Sequence, residues 1–226
     1  MASARTRVRR HPERGAYERA AIDAILDEAL YCHVGFTLDG QPFVIPTIHA
    51  RAGDVLYLHG SPASRMLRGL AKGIDVCVTA TLLDGIVLAR SVYNHSLNYR
   101  SAVVLGRARP VAERREKLAA LAAIVEHVVP GRSRDARPPS DEEAAGTLVL
   151  ALPLEEASAK IRTGPPQDFD SDLDLPIWAG VIPLALTAGA PVADELVPDD
   201  VSVPSYAGSY RRPAAQRGRE AARRAS

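Results

Sequence analysis

Tyr57-Leu-His-Gly-Ser-Pro-Ala-Ser-Arg-Met-Leu-Arg68 carries an apolar strand into the start of a helix. The strand is Val55 to Leu58, and it ends at Gly60. Ser61, Ser64, Arg65 and Arg68 then gather where the helix should begin. A helix start exposes backbone N–H groups and carries partial positive charge, so it holds phosphate well. Two hydroxyls and two guanidinium groups at that point read as a seat for a phosphorylated ligand. The competing reading is a helix capped by Ser61, with Arg65 and Arg68 as solvated surface charge. The local sequence leaves both open. His59 adjoins this seat, and its imidazole titrates near neutrality, so it is the candidate for moving a proton beside a cofactor.

Outward from this stretch the chain reads as strands joined by tight turns. Toward the N-terminus, Ala21, Ile22, Ile25, Leu26 and Ala29 mark one face of a helix over Tyr17–Leu30. Tyr31–Leu38 and Gln41–Ala50 read as a hairpin about Asp39-Gly40, with Pro46 as an edge or a break in the ladder. Toward the C-terminus, a short helix over Ala63–Ala71 leads to a strand over Asp75–Leu83. Asp84-Gly85 reads as a second hairpin turn into Ile86–Tyr93. A polar loop, Asn94–Asn98, precedes a strand over Tyr99–Val111. A helix over Glu113–Val129 and strands over Thr147–Leu154 and Ala157–Thr163 follow, then an apolar run, Ile177–Leu186, holding Trp178. Hairpin-linked strands with flanking helices predict a mainly β, α+β fold: an antiparallel barrel with peripheral helices. The Gly-x-Gly-x-x-Gly fingerprint of a doubly wound nucleotide-binding sheet is absent. A nucleotide-like cofactor must then sit on a barrel surface.

The 226 residues contain 28 basic and 27 acidic side chains, and 46% are hydrophobic. That suits a chain able to bury a core. No apolar run reaches the length of a membrane span. Two isolated cysteines, Cys32 and Cys77, fit a reducing compartment, so a cytoplasmic location is expected. The near-neutral total hides basic ends. Residues 1–14 hold five Arg against one Glu, and residues 211–226 hold six Arg against one Glu. Between the tails stand 17 basic and 25 acidic residues. An acidic body argues against a nucleic-acid-binding face. The expected organisation is a basic, flexible segment over 1–14, a barrel domain over 15–190, and an irregular extension with an Arg-rich tail over 191–226.

A second cluster, Asn98-Tyr-Arg-Ser101, offers donors and one aromatic face, and it reads as a phosphate clamp or ring stack. The plainer alternative is a polar turn. His33, His49 and His95 lie in or beside other strands, without the spacing of a metal site, and none is predicted. No Gly-x-Ser-x-Gly elbow is present.

Residues Arg5 to about Pro183 resemble the pyridoxamine-phosphate-oxidase-like, FMN-binding split-barrel proteins, in the branch of the nitroimidazole-resistance flavoproteins. The likeness rests on Arg9-Arg-His-Pro-Glu-Arg-Gly15, Ala24-Ile-Leu-Asp-Glu-Ala29, Val44-Ile-Pro-Thr47, Tyr57-Leu-His-Gly-Ser-Pro-Ala-Ser-Arg65, Asn98-Tyr-Arg-Ser101 and Leu175-Pro-Ile-Trp-Ala-Gly-Val-Ile-Pro183. It implies a six-stranded Greek-key split barrel that forms a homodimer, with FMN in clefts between subunits. By that likeness the backbone of Ile45, Pro46 and Thr47 flanks the flavin ring. His59 and Gly60 lie beside it, with His59 as the catalytic residue. Ser61, Ser64 and Arg65 hold the phosphate, joined by Arg68 or by Arg100 and Ser101, with Asn98 and Tyr99 nearby. Trp178 reaches the ring from the partner subunit. The Arg-Leu-x-Pro ending of the vitamin oxidases is missing, which counts against vitamin oxidation. The activity so implied is FMN-dependent reduction of a small organic molecule, a nitro-aromatic for example, with a nicotinamide electron donor. The alternatives are a flavin or haem carrier, with His59 or His95 as axial ligand, and a deazaflavin-dependent reductase.

Overall fold

The computed structural model describes residues 3–212. Eleven strands and six helices follow one another as β1 (Gly15–Ala16), α1 (Arg19–Glu28), β2 (Cys32–Leu38), β3 (Gln41–Thr47), β4 (His49–Ala52), β5 (Val55–Gly60), α2 (Arg65–Ala71), β6 (Asp75–Leu88), β7 (Ser96–Arg107), β8 (Arg109–Pro110), α3 (Arg114–Val128), α4 (Arg132–Asp135), α5 (Asp141–Ala145), β9 (Leu148–Pro153), β10 (Glu156–Arg162), β11 (Gly180–Pro183) and α6 (Ser205–Gly208). They form two antiparallel sheets. The longer runs β1-β10-β7-β6-β2-β3, with β11 also paired to β6, and the shorter runs β4-β5-β9-β8. This is a split-barrel α+β fold in which two sheets, rather than one closed sheet, enclose the core.

The alternation along β5 shows how one strand serves two cores. Leu56 and Leu58 point into the space between the sheets, among Val34, Val78, Val104, Leu150 and Leu152, all fully buried. α1 and α2 close that core with Ile25, Leu26, Leu67 and Leu70. Tyr57 points the other way, into a smaller cluster with Val149, Ala151 and Ile124 of α3. Each fully buried Leu contributes roughly 1.5–3 kcal/mol relative to exposure.

Three stretches differ from the sequence expectation. The run Gln41–Ala50 is two strands. β3 pairs with β2 as far as Thr47, and His49 then opens β4 in the other sheet, so the chain changes sheets at Ile48. Asp84-Gly85 is a bulge inside one continuous strand, β6, where the register with β7 shifts between Leu83 and Gly85. An extra residue there re-aims a side chain, and the Asp84 carboxylate turns to meet Arg100. A Cβ at Gly85 would lie 2.9 Å from a Val181 methyl and 3.1 Å from the Ile182 carbonyl oxygen, so only glycine lets β11 pack this closely. The expected polar loop over Asn94–Asn98 is a short turn, and β7 already begins at Ser96.

The two ends also differ from free tails. The Ser3 hydroxyl donates to Glu156 (2.5 Å), and the Val8 N–H donates to the Tyr17 hydroxyl (2.9 Å), which lays the basic N-terminal segment against β10. At the other end Arg212 is buried. Its guanidinium donates to the carbonyls of Asp27 (3.0 Å), Glu28 (2.5 Å) and His127 (2.6 Å). One cation thus caps the C-termini of α1 and α3 together, where helix dipoles favour it. The rest of the Arg-rich tail, 213–226, lies outside the described residues.

Candidate functional site

β5 ends at Gly60, where an added Cβ would press to 3.0 Å from the Leu67 side chain, so the chain can turn tightly there into α2. Ser61 and Ser64 fix that turn. The Ser61 hydroxyl oxygen accepts from the Ala63 N–H (3.1 Å), and the Ser64 hydroxyl oxygen accepts from the Leu67 N–H as the helix N-cap (3.4 Å). Each hydroxyl keeps its own O–H free to donate outward. Arg65 and Arg68 are exposed, and among the described residues neither pairs with a carboxylate. The Arg65 guanidinium lies 4.2 Å over the Phe43 ring of β3. That contact joins α2 to the edge of the long sheet.

β3 ends the long sheet and pairs only with β2 among the described residues. One side of the Ile45–Thr47 backbone therefore offers unpaired N–H and C=O groups. Ile45 packs on the core while Pro46 is exposed. His59, the penultimate residue of β5, is half-buried. Its Nδ1 is enclosed with no hydrogen-bond partner, and burial holds its pKa below the usual histidine value. The turn from β5 into α2 holds His59, Gly60, Ser61, Ser64, Arg65 and Arg68 together, and the Arg65–Phe43 contact ties it to β3, the strand of Ile45–Thr47. Together they offer an unpaired backbone edge, two free hydroxyls, two unpaired guanidinium groups and an imidazole.

The second predicted cluster is not a single clamp. Asn98 to Ser101 lie within β7, where successive side chains alternate between faces. Arg100 is largely buried and donates to both oxygens of Glu28 (2.6 Å each) and both oxygens of Asp84 (2.7 and 2.8 Å). Those bonds hold its pKa above the ordinary arginine value and commit four of its five N–H groups. Asn98 is buried too. It accepts from Arg162 and donates to the Gly164 carbonyl (3.1 Å). Ser101 faces the opposite side, registered with Lys160. There a cavity of about 330 Å³ is lined by Arg5, Arg7, Arg9, Arg10 and Lys160 among others. Tyr99 stands opposite Arg162. Trp178 is exposed and covers Gly180 of β11, where a Cβ would strike the indole at 2.8 Å.

Sequence reasoning missed the Glu28–Arg100–Asp84 triad, Arg162 and Arg212. Burial of these charges depends on partners far away in sequence, and no local pattern marks it. It also missed the exposed apolar side chains of the long sheet. Ile182, Ile86 and Leu97 stand in register across β11, β6 and β7, and Leu83 and Val44 lie exposed on the same sheet. No helix among the described residues is long and apolar enough to cross a membrane.

Comparison with known proteins shows where this fold recurs. A flavocytochrome from Azotobacter vinelandii is 40% identical, with a TM-score of 0.87, over 92% of this chain and 97% of that one. An FAD- and haem-binding protein from Mycobacterium smegmatis is 36% identical, with a TM-score of 0.82, over 85% and 95%. A putative 5-nitroimidazole antibiotic resistance protein from Bacteroides thetaiotaomicron is 28% identical, with a TM-score of 0.54, over 65% and 86%. No curated protein sequence matches the chain. The model of the pyridoxamine 5'-phosphate oxidase family matches residues 18–161, and the chain belongs to that family.

Proposed function

We propose that this protein is a flavin-dependent oxidoreductase that works as a homodimer and carries haem as a second redox group. One observation weighs most. The family model stops at residue 161, and the nitroimidazole resistance protein covers 65% of the chain, whereas the flavocytochrome covers 92% of it. The segments outside the family model, with β11 and much of the C-terminal extension, are thus largely shared with the flavocytochrome. A second redox group follows from that kinship more readily than the FMN-only reductase expected from sequence.

A bound flavin would supply electron or hydride transfer. The chain's own residues supply the rest. Ser61, Ser64, Arg65 and Arg68 hold the phosphate, through charge-assisted bonds from guanidinium groups that have no competing carboxylate among the described residues. The open edge of Ile45–Thr47 offers backbone partners to the polar rim of the ring. His59, whose pKa burial lowers, would accept or hand on a proton through Nε2, since its Nδ1 is enclosed. One phosphate, as in FMN, suffices for the α2 seat. FAD, named for the Mycobacterium smegmatis relative, brings a second phosphate, and the Arg-lined N-terminal cavity is where this chain has spare cations for it.

Pairing of two chains accounts for the exposed apolar side chains of the long sheet. A face with Val44 at 68% and Leu83 at 52% exposure is costly to leave in water. A partner covering it brings that chain's Trp178 and Arg-lined cavity toward the flavin. The substrate class is a small planar organic acceptor, the electron donor a nicotinamide dinucleotide, and the compartment the cytoplasm.

The test is anaerobic mixing of flavin-loaded protein with NADH or NADPH, with flavin absorbance followed, beside sedimentation of the same sample. The expected result is bleaching in a dimer. Failure with both donors, but reduction by a reduced deazaflavin, would replace the donor. A flavin-loaded monomer would remove the shared cleft.

A further inference from the structure

The cavity of about 330 Å³ under the N-terminal segment is built by strand register. Ser101 and Val103 of β7 stand opposite Lys160 and Ser158 of β10, so these four side chains share one face of the long sheet. Ala102, Val104 and Ala159 turn the other way, into the core. The segment Arg5–Arg10 lies over that outer face and closes the cavity. It is held by bonds that leave its guanidinium groups alone. The Arg7 N–H donates to the Ser3 carbonyl (3.1 Å), the Ser3 hydroxyl to Glu156 (2.5 Å) and the Val8 N–H to the Tyr17 hydroxyl (2.9 Å).

Two features of the lining point to a ligand. Ser158 is only 7% exposed and lines the cavity, yet its hydroxyl makes no hydrogen bond among the described residues. A buried hydroxyl is normally answered. Among the described residues, moreover, Arg7, Arg9, Arg10 and Lys160 pair with no carboxylate, and no acid lines the cavity. Arg5 alone faces an acid, Asp75, which Arg107 already holds at 3.1 Å.

The lining also narrows the kind of anion. A phosphate monoester carries at most two negative charges at neutral pH, so four unpaired cations exceed what one can answer. In dinucleotide sites a carboxylate receives a free ribose 2′-hydroxyl, whereas arginine accommodates a 2′-phosphate. Here the carboxylate is missing and arginines abound. The volume lies at the low end for ligand pockets, about 300–1,000 Å³, so it suits one end of a dinucleotide. FMN, with its single phosphate at α2, leaves the cavity to another anion.

We propose that this cavity binds the 2′-phosphorylated adenosine end of the electron donor, and that the protein therefore selects NADPH over NADH. Arg7, Arg9 and Arg10 meet the phosphates from above, and Lys160 and Ser158 meet them from the sheet. This rests on the nicotinamide-donor reading above and names the donor. With the chains paired as proposed there, the nicotinamide end faces the partner's flavin.

The experiment is calorimetric titration of the FMN-loaded full chain with adenosine 2′,5′-bisphosphate and with adenosine 5′-diphosphate, for wild type and Arg7→Ala/Arg9→Ala. Anaerobic flavin bleaching by NADPH and by NADH is followed beside it. The two adenosine probes carry two phosphates each, so a basic patch without a 2′-phosphate site treats them alike. Wild type should bind the 2′,5′-bisphosphate at least about 10-fold more tightly, the scale of one charged hydrogen bond, and bleach faster with NADPH. The double variant should keep its FMN, which shows an intact fold, and lose the preference. Equal affinity for the two probes in wild type, or an unchanged preference in the variant, would overturn the site while bleaching by either donor leaves the donor reading standing. Bleaching by neither donor would end the donor reading and this assignment with it.

Discussion

Arg100 and Arg65 are the same side chain in two regions of one fold, and they do opposite jobs. Arg100 lies where α1 meets the bulge of β6, its side chain 12% exposed, with Glu28 and Asp84 answering its charge on both sides. Arg65 stands at the start of α2, resting on the Phe43 ring, with no carboxylate partner among the described residues. The first cation is spent on the protein's own structure, and the second is left over. A surplus cation beside free hydroxyls and helix N–H groups is what an anionic ligand needs. The difference lies in the partners, and partners are set by tertiary contacts.

Removing Arg100 should give the largest effect. Arg100→Ala would leave the Glu28 carboxylate, 6% exposed, and Asp84 without a counter-charge. Breaking a buried ion pair from one side costs about 3–5 kcal/mol. Urea denaturation of the flavin-free protein should show a loss of that size, with any flavin weakening explained by unfolding alone. A stable Arg100→Ala variant that has lost flavin would reverse the comparison and return Arg100 to the ligand.

The contrast also shows what a sequence can and cannot tell. The signals at β5–α2 are local: Gly60 for the turn, Ser61 and Ser64 within capping distance, and arginines one and four residues past the cap. Strand, cap and helix follow each other directly, so the expected turn from strand to helix is the observed one, with the helix starting at Arg65 under a Ser64 cap rather than at Ala63. Asn98 to Ser101 looks just as coherent on paper, but a strand's period of two sends its members to different faces. The carboxylates that claim Arg100 lie 72 and 16 residues away. Asp84-Gly85 has the chemistry of a hairpin turn, and only β7 running past it makes it a bulge. Arg212 sits in a run of arginines that reads as solvated, yet the open ends of two distant helices fix it in place. Partners close in sequence were legible, and those brought together by folding were not.

Arg65→Ala should leave folding nearly untouched and act on the ligand. Loss of one charged hydrogen bond should weaken FMN by about 2–3 kcal/mol. Riboflavin, which has no phosphate, should respond far less. Flavin fluorescence quenching, with urea denaturation of the empty protein beside it, checks both halves. Equal FMN affinity in variant and parent would make Arg65 a plain surface charge, and the contrast with Arg100 would shrink to one of burial.

The smallest effect should sharpen the comparison most, because it asks what positions an unpaired cation. Arg100 is oriented by carboxylates, whereas Arg65 has only the face of Phe43, 4.2 Å from its guanidinium carbon. An aromatic face attracts a cation by about 0.5–1 kcal/mol at an exposed site. Phe43→Leu keeps an apolar side chain against the core but removes that face. It also removes the stack on Phe36, whose ring lies 5.4 Å away, so some stability should be lost as well. The two consequences separate by ligand. A general loosening of β3 would weaken riboflavin and FMN equally, since in the proposed site both would meet the edge strand through the ring. Loss of Arg65 placement would weaken FMN by a further two- to fivefold, the same ~0.5–1 kcal/mol. In an Arg65→Ala background that extra factor should vanish, because the cation it acted through is gone. If the FMN-specific loss persists without Arg65, Phe43 serves the phosphate seat by some route other than this cation.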